Sequence, residues 1–189
     1  MKTYISLLRG INVSNQNRIR LPELRNLYVS LRLVNVETYI QSGNVIFDGE
    51  EDSSILIKAI ESEIQRSFGS AVRILLRDMD NLWHIINTNP FLIDRQLDPE
   101  KLHVTFLSDL PSQSMLSSLP PQADYRASEA MNMDGYFVID REIHIYCPSG
   151  YGKTKYSNGY FEKKLNLVAT TRNWKTVNIL YNIAKQRQP

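Results

Sequence analysis

The chain has 189 residues, of which 42% are hydrophobic and 22% charged, with 8 Gly and 8 Pro. This balance excludes a disordered or fibrous protein and is sufficient for one or two buried cores. No segment approaches the roughly 20 apolar residues of a membrane-spanning helix, and the first residues lack the apolar run of a secretion signal, so no membrane partner is expected. The single cysteine, Cys147, cannot form an internal disulfide, which fits a reducing cytoplasm.

The net charge of +2 is unevenly distributed along the chain. Residues 1–35 carry a net charge of +5 and residues 150–189 carry +7, which leaves −10 for residues 36–149. If the two basic ends meet in the folded protein, they form an anion-attracting surface on an acidic body. The alternative is that these charges are dispersed over solvated faces.

The first part of the chain alternates between strand and helix patterns. Residues 3–9 are a mostly apolar run that stops at Gly10, which predicts a buried strand. Pro22 then opens a segment with leucines at helical spacing. The next elements are a hairpin at residues 36–40 and 45–47, a helix capped by Ser53 or Ser54 and closed by Gly69, and a strand at residues 71–76.

This order of elements predicts a βαββαβ unit of the ferredoxin-like type. Right-handed crossovers make the first two strands parallel, with the third strand between them and antiparallel to both. Residues 9–12 and the turn at residues 41–44 must then lie at the same edge of the sheet. We expect an α+β protein with a ferredoxin-like subdomain at residues 1–78 and a second α+β subdomain at residues 79–189 that ends in two helices.

The second half predicts a less regular series of elements. Asp78 or Asp80 caps a helix, residues 102–107 form a strand, and residues 112–119 form a short helix. Three strands follow near residues 125–130, 136–139 and 142–147, then a helix near residues 158–165 and a last helix from Asn173. The order strand, helix, strand, strand weakly repeats that of the first subdomain.

The segment from Cys147 to Thr154 looks like a phosphate-binding loop because it ends in Gly-Lys-Thr after a predicted strand. A Walker loop needs glycine five positions before the Gly of Gly-Lys-Thr, and Cys147 stands there. Asn158 and Gly159 also indicate that the next helix begins later than in a Walker loop, which leads directly into its helix. A nucleotide-triphosphate loop is therefore not expected, although backbone amides beside Lys153 and Lys155 would suit a phosphate or carboxylate.

No metal site is expected, because none of the histidines has a partner at the i+3 or i+4 spacing of familiar sites: His84, His103 and His144. No cofactor is expected either. In the strand at residues 142–147, Cys147 lies on the face opposite His144, so it is expected to be a small buried hydrophobe rather than a nucleophile. Catalytic triads leave no general trace in sequence, so whether the protein is an enzyme stays open.

The predicted βαββαβ unit resembles an RNA-recognition motif in topology, and such motifs stack bases on aromatic side chains of the central strands. Here the third strand has one aromatic, Phe47, followed by Asp48, where that motif has a basic start and several aromatics. The basic ends of the chain still permit salt-sensitive contacts with a nucleic-acid backbone.

Arg172 stands just before the last helix, in which Asn173 is the predicted cap and Trp174 the core anchor. A positive charge gains nothing from the dipole at a helix N-terminus. Arg172 is therefore expected to face either an external anion or a carboxylate of the acidic middle segment.

Three motifs resemble the bacterial family catalogued as domain of unknown function 1697. They are Leu-Leu-Arg-Gly-Ile-Asn-Val from Leu7, Tyr-Ile-Gln-Ser-Gly-Asn-Val from Tyr39, and Thr-Arg-Asn-Trp-Lys-Thr-Val from Thr171. The resemblance implies an α+β fold of two subdomains, the first ferredoxin-like, and brings no established activity. Family members often have a glycine pair and a lysine at residues 14–16 and Gly-Arg-Ser-Lys at residues 152–155, and this chain departs from both.

The shared sheet edge and the basic ends favour a cytoplasmic protein that binds an anionic ligand, either a phosphorylated small molecule or a nucleic-acid backbone. The candidate ligand-binding residues are Arg9, Asn12, Gln41, Ser42, Asn44, Lys153, Lys155 and Arg172. One alternative is an enzyme acting on a phosphorylated or carboxylated metabolite, with Lys153 or Lys155 stabilising charge. Another is a protein-interaction module joined through a sheet edge. The sequence does not specify the oligomeric state.

Overall fold

The computed structural model of the protein describes residues 1–13, 17–93, 97–122 and 132–187. These residues group into two compact units. Unit 1 comprises Met1–Trp83 together with the chain from Ile179 onwards, and unit 2 comprises His84–Asn178. The subdomain boundary after residue 78 stays a prediction.

Unit 1 contains one four-stranded antiparallel sheet and two long helices. Its elements are β1 (Lys2–Leu8), α1 (Leu21–Ser30), β2 (Val34–Tyr39), β3 (Asn44–Gly49), α2 (Ser53–Phe68) and β4 (Ile74–Asp78). The strand order is β2-β3-β1-β4. Both β1 and β2 pair antiparallel with β3, so the predicted position of the third strand is confirmed.

One face of this sheet packs against both helices. The buried side chains are Tyr4, Leu8, Val45, Phe47 and Leu76 from the strands, Leu24, Leu27 and Tyr28 from α1, and Leu56, Ile60 and Ile64 from α2. Gly69 closes α2 in the left-handed conformation, with φ of 69°, as the sequence predicts. The predicted serine caps are wrong, because Asp52 occupies the cap position of α2 and its side chain makes no capping hydrogen bond.

Unit 2 also contains a four-stranded antiparallel sheet, in the order β6-β7-β5-β8. After α3 (Met79–Asn87) the elements are α4 (Pro90–Ile93), β5 (Leu102–Leu107), α5 (Gln113–Leu116), β6 (Gly135–Ile139), β7 (Glu142–Tyr146), α6 (Asn158–Leu165), β8 (Ala169–Asn173) and α7 (Trp174–Lys185). Strand β8 is absent from the sequence interpretation. The strand predicted near residues 125–130 lies outside the described residues.

With β8 included, the two sheets have the same connectivity. β5, β6, β7 and β8 occupy the places of β1, β2, β3 and β4, with α5 and α6 at the crossovers. The weak internal repeat in the sequence is therefore confirmed as a repeat of strand order. It extends to single residues, because Ile5 pairs with Arg77 in unit 1 and Val104 pairs with Arg172 at the same place in unit 2.

The last residues of β4 and β8 cap the helices that follow them. The Asp78 carboxylate accepts a hydrogen bond from the Asn81 N–H at 2.8 Å, and the Asn173 amide oxygen accepts one from the Thr176 N–H at 2.8 Å. Each satisfies a backbone donor that has no partner inside the helix. Asp78 and Asn173 are therefore equivalent caps, and both predicted helix starts are confirmed.

Side chains of β7 alternate between two buried faces, as predicted. Ile143, Ile145 and Cys147 belong to the core formed with Phe161 and Leu165 of α6. His144 lies on the opposite face and is 1% exposed. Among the described residues, no helix is long and apolar enough to cross a membrane.

We expect His144 to make the protein less stable in acid. Burial lowers the pKa of His144 to about 4, and its Nδ1 atom has no hydrogen-bond partner among the described residues. Because the pKa in the unfolded chain is higher, near 6.5, this contribution is fully present above that pH. It is lost as pH falls towards 4, for a total of about 3 kcal/mol.

Urea unfolding at a series of pH values between 7.5 and 4 measures this loss. A His144→Leu variant should lose a large part of the pH dependence in that range, whereas His84→Gln, at a half-exposed histidine, should retain most of it, because burial and not the His84 charge is the main cause of the lowered His144 pKa. An unchanged slope in His144→Leu would assign the acid sensitivity to other groups.

Candidate functional site

The two loops predicted to share a sheet edge do meet in unit 1. Leu7 pairs with Asn44 at the end of β1, and the Leu8 N–H donates to the Gly43 carbonyl at 2.9 Å. We call residues 9–12 and 41–44 together the loop edge. Topology alone predicts that they lie side by side, and this part of the prediction is confirmed.

Asn12 joins the two loops through its side-chain amide. Its Nδ2 donates to the carbonyl oxygens of Gln41 at 2.9 Å and Ile19 at 3.0 Å, and its Oδ1 accepts from the Ile19 N–H at 2.9 Å. Its backbone N–H also donates to the Asn17 carbonyl at 3.1 Å. Asn12 therefore positions the loops, and its amide hydrogens are already committed to backbone.

Asn44 plays a similar part inside the turn. It is fully buried, and its Nδ2 donates to the Tyr39 carbonyl at 2.9 Å and to Ser42 Oγ at 3.2 Å. Gln41 and Ser42 are exposed at the tip. Of the candidate residues, Asn12 and Asn44 thus hold the shape of the loop edge, while Gln41 and Ser42 face outwards from it.

Three residues of the loop edge and the adjoining Ile40 have left-handed backbone. Positive φ values occur at Gly10 (71°), Asn12 (55°), Ile40 (49°) and Gly43 (78°). This conformation is ordinary for glycine but unfavourable for a β-branched residue such as Ile40, at roughly 1–2 kcal/mol. Strain of this kind persists only where the surrounding contacts impose it.

The equivalent hairpin of unit 2 shows which of these features the fold does not need. The left-handed residue after the first strand recurs, since Asp140 has φ of 51°. Leu107 N–H donates to the Arg141 carbonyl at 2.8 Å, as Leu8 does to Gly43, and Ser108 N–H donates to the Val168 carbonyl at 2.9 Å, as Arg9 does to Arg73. Yet two residues between β6 and β7 close this hairpin. The longer turn and the Asn12 connection are therefore additions that unit 1 carries on a shared scaffold.

The loop edge also contains hydrogen-bond donors without a partner. The backbone N–H groups of Gly10 and Ile11 have no hydrogen-bond partner among the described residues. A Cβ atom built on Gly10 would meet nothing within 4 Å, so open space adjoins Gly10, whereas Ile11 is 1% exposed. Arg9, which precedes Gly10 in the chain, is half-buried. An unpaired backbone amide next to an arginine in the chain is a combination that suits an anion.

The candidate lysines lie in unit 2 on an ordinary turn. Lys153 N–H donates to the Gly150 carbonyl at 3.0 Å and Thr154 N–H to the Tyr151 carbonyl at 3.4 Å, so these amides are satisfied by the loop itself. Helix α6 begins only at Asn158, so the predicted late start of this helix is confirmed. Lys153 and Lys155 are exposed, and Lys155 Nζ lies 5.1 Å above the Tyr156 ring.

Arg172 lies within β8 and is 6% exposed. Its Nη1 donates to Thr170 Oγ1 at 2.8 Å and to the Thr171 carbonyl at 2.9 Å, and burial lowers its pKa to about 10. Arg77 makes the same bond to the carbonyl before it, at 2.9 Å. The repeated sequence pattern Arg-Asp and Arg-Asn before a helix signals this pair, and the sequence interpretation missed it. A ligand role for Arg172, Lys153 or Lys155 stays a prediction.

Cys147 is buried, as predicted, and burial raises the pKa of its thiol to about 12. A thiol of this kind is a poor nucleophile at neutral pH. His103 is stacked on Tyr151, with ring centroids 4.7 Å apart, and burial lowers its pKa. Among the described residues, no group of three His, Cys, Asp or Glu side chains is placed to hold a metal ion.

We expect Gly43→Ala to destabilise the protein more than Gly10→Ala. Both positions have positive φ, which costs about 1 kcal/mol for alanine. At Gly43 the added Cβ would also lie 2.6 Å from Ile11 Cδ1 and 2.9 Å from Leu8 Cβ. This overpacking adds about 2 kcal/mol.

Urea unfolding of the two variants separates the cost of the positive φ from the cost of the close contact. Gly10→Ala has the unfavourable φ alone, because its added Cβ meets no other atom. Equal losses of unfolding free energy would show that the close contact of Gly43 with β1 and its loop contributes little.

Comparison with known proteins identifies a family but no activity. The chain is similar to a solved structure, "conserved bacterial protein SP0830 from Streptococcus pneumoniae", with 21% identity, 97% of this chain and 98% of that chain covered, and a TM-score of 0.69. This likeness confirms the α+β fold class. No curated protein matches the chain.

A family model described as "Protein of unknown function (DUF1697)" matches residues 1–137. The matched part includes both loops of the loop edge, the whole sheet of unit 1, and β5 with the first part of β6 from the sheet of unit 2. The resemblance noted in the sequence is confirmed, and the chain belongs to the DUF1697 family.

Proposed function

We propose that the protein binds a phosphate-bearing ligand at the loop edge of unit 1. The observation that supports this most strongly is the difference between the two equivalent hairpins. Unit 2 closes its hairpin with two residues, whereas unit 1 maintains a longer turn, left-handed backbone at Gly10, Asn12 and Gly43, and the Asn12 connection. Local structure that the fold does not require is typical of a binding site.

The chemistry of the loop edge favours an anion. Gly10 has an unpaired backbone N–H and adjoins open space, Arg9 supplies a positive charge, and Gln41 and Ser42 add polar groups at the tip. Phosphate accepts several such hydrogen bonds at once, and arginine matches its geometry. A cytoplasmic location, where phosphorylated metabolites and nucleic acids occur, is part of this proposal.

Binding is favoured over catalysis at this site. Residues 9–12 and 41–44 contain no carboxylate, imidazole or thiol, and general acid–base or covalent chemistry needs such a group.

An interface with a protein partner through the edge strand β2 is also disfavoured. Arg25 Nε donates to the Val36 carbonyl at 3.0 Å and Arg187 Nη1 to the Asn35 carbonyl at 2.6 Å, which occupies two acceptors of this edge strand.

We expect pyrophosphate, adenosine monophosphate and a short single-stranded oligonucleotide to report on the site in a thermal-shift titration. Arg9→Gln should weaken the affinity by about tenfold, since it removes one charged contact. Gly10→Ala should weaken it as much, because its methyl group would occupy the open space next to the amides. Arg66→Gln, on the exposed surface of α2, should have no effect.

Two salt concentrations distinguish the sources of phosphate. A stabilisation by pyrophosphate or the nucleotide that survives 300 mM salt indicates a small-molecule site, and one seen only with the oligonucleotide and lost in salt indicates a nucleic-acid backbone. If none of the probes stabilises the protein, or if Arg9→Gln and Gly10→Ala bind as the parent chain does, the loop edge is not a phosphate site.

A further inference from the structure

Two exposed aliphatic side chains flank the Asn12 connection at the loop edge. Val13 is 58% exposed and Ile40 is 42% exposed. Val13 follows Asn12 in the chain, Ile40 precedes Gln41, and the Asn12 Nδ2 atom donates to the Gln41 carbonyl at 2.9 Å. The backbones of both residues therefore lie next to this hydrogen bond. We call Val13 and Ile40 the aliphatic pair.

The core of unit 1 does not account for the aliphatic pair. Among the described residues, neither Val13 nor Ile40 belongs to that core or to the partly buried side chains that pack against it, which are Leu31, Ile57 and Phe68. Aliphatic surface that stays in water contributes nothing to the hydrophobic free energy of folding. Ile40 therefore stabilises the chain less than an isoleucine of the core does.

The backbone conformation also disfavours isoleucine at position 40. Ile40 directly follows β2 and has φ of 49°, and Asp140, which directly follows β6 in unit 2, has φ of 51°. The fold thus imposes a left-handed residue at this place in both hairpins. Aspartate tolerates this conformation, whereas a β-branched side chain is strained in it. Unit 2 has a suitable residue type here, and unit 1 does not.

A contact with a bound molecule explains why Ile40 stands at this position. Its side chain is half-exposed and its backbone is unfavourable, so neither packing nor conformation selects isoleucine there. The proposed phosphate site adjoins it. Gly10 and Val13 are three residues apart, so their Cα atoms are separated by at most about 11 Å. One small molecule can therefore reach both the Gly10 backbone and the aliphatic pair.

We propose that the ligand of the loop edge is a phosphate ester with an apolar, ring-sized body that contacts Ile40 and Val13. This inference rests on the proposed phosphate site and names the class of its ligand. The phosphate group binds beside Arg9 and Gly10, and the apolar body covers the aliphatic pair. Esters with a polar body, such as sugar phosphates, are poor ligands, and Ile40 determines this specificity.

Phosphate esters that differ only in their body test this inference. Methyl phosphate, glycerol 3-phosphate and phenyl phosphate carry the same charged group on a minimal, a polar and an aromatic body. In a ¹H–¹⁵N correlation titration, we expect phenyl phosphate to bind about tenfold more tightly than methyl phosphate, the effect of covering roughly 60 Å² of apolar surface. Glycerol 3-phosphate should bind no better than methyl phosphate. The signals that shift should be those of residues 10–13 and 40–43.

A second pair of probes distinguishes two sources of an aromatic body. Adenosine monophosphate and ribose 5-phosphate differ by the base alone. A preference for adenosine monophosphate supports the inference and identifies nucleotides as the ligand class. Equal affinities for these two, together with tighter binding of phenyl phosphate, support it as well and assign an ester without a base.

Variants of the aliphatic pair separate the apolar contact from the shape of the turn. Ile40→Asn removes the apolar side chain but introduces a residue type suited to left-handed backbone, so the turn is kept. It should abolish the advantage of phenyl phosphate and leave binding of methyl phosphate unchanged. Ile40→Leu should keep most of the advantage. Val13→Thr has the same shape as the parent residue and should reduce the advantage about threefold.

Ile55→Asn is the matched control, because Ile55 is an isoleucine of α2 that is 50% exposed. It should change the affinity for none of the esters. Equal affinity for phenyl and methyl phosphate, or an advantage of phenyl phosphate that survives Ile40→Asn, would overturn this inference and leave the phosphate site in place. Absence of binding by every ester would overturn the phosphate site and this inference with it. Self-association measured by sedimentation and abolished by Ile40→Asn would show instead that a second copy of the chain covers the aliphatic pair.

Discussion

The close approach of Gly43 to Ile11 and Leu8 fixes the geometry on which the proposed phosphate site depends. Since a Cβ at Gly43 would come within 3 Å of both residues, the turn and the loop are in direct contact, and Asn12 can bridge them with one amide. Without that contact, the amides of Gly10 and Ile11 would have no fixed relation to Gln41 and Ser42. The close contact at Gly43 thus determines where the side chains of Gln41 and Ser42 lie.

The internal repeat shows which features belong to the scaffold and which do not. Strand order, the backbone bonds from Leu8 and Leu107, the buried arginines and the helix caps recur in both units. These shared features are explained by the fold. The long turn at residues 40–43 occurs in unit 1 alone, since a short hairpin joins the equivalent strands of unit 2, and the connection from β1 to α1 is longer than that from β5 to α5.

Much of unit 1 could be predicted from sequence because periodicity and topology act together. Apolar spacing identifies the strands and helices, and the right-handed crossover rule then places residues 9–12 beside residues 41–44. The same reasoning missed β8, because the helix cap at Asn173 led Thr171 and Arg172 to be interpreted as a connection rather than a strand. A buried arginine is rare enough that its sequence context predicts exposure.

The hydrogen-bond donors of the loop edge could not be predicted from sequence, for a different reason. Sequence shows that Asn12 and Asn44 are polar, but only coordinates show that their amides are already bonded to backbone. The donors that have no partner among the described residues are the backbone N–H groups of Gly10 and Ile11. Every residue type except proline has such a group. No pattern of side chains can single them out.

One of the two arginines that occupy acceptors of the edge strand β2 is synthesised long after that strand. Arg187 is 152 residues later in the chain than Asn35, whose carbonyl it occupies. A ribosome that has released unit 1 up to β4 has therefore exposed an edge strand that still lacks this guanidinium. During that interval the nascent chain carries an acceptor open to wrong pairing, and it is covered only when α7 and the residues after it arrive.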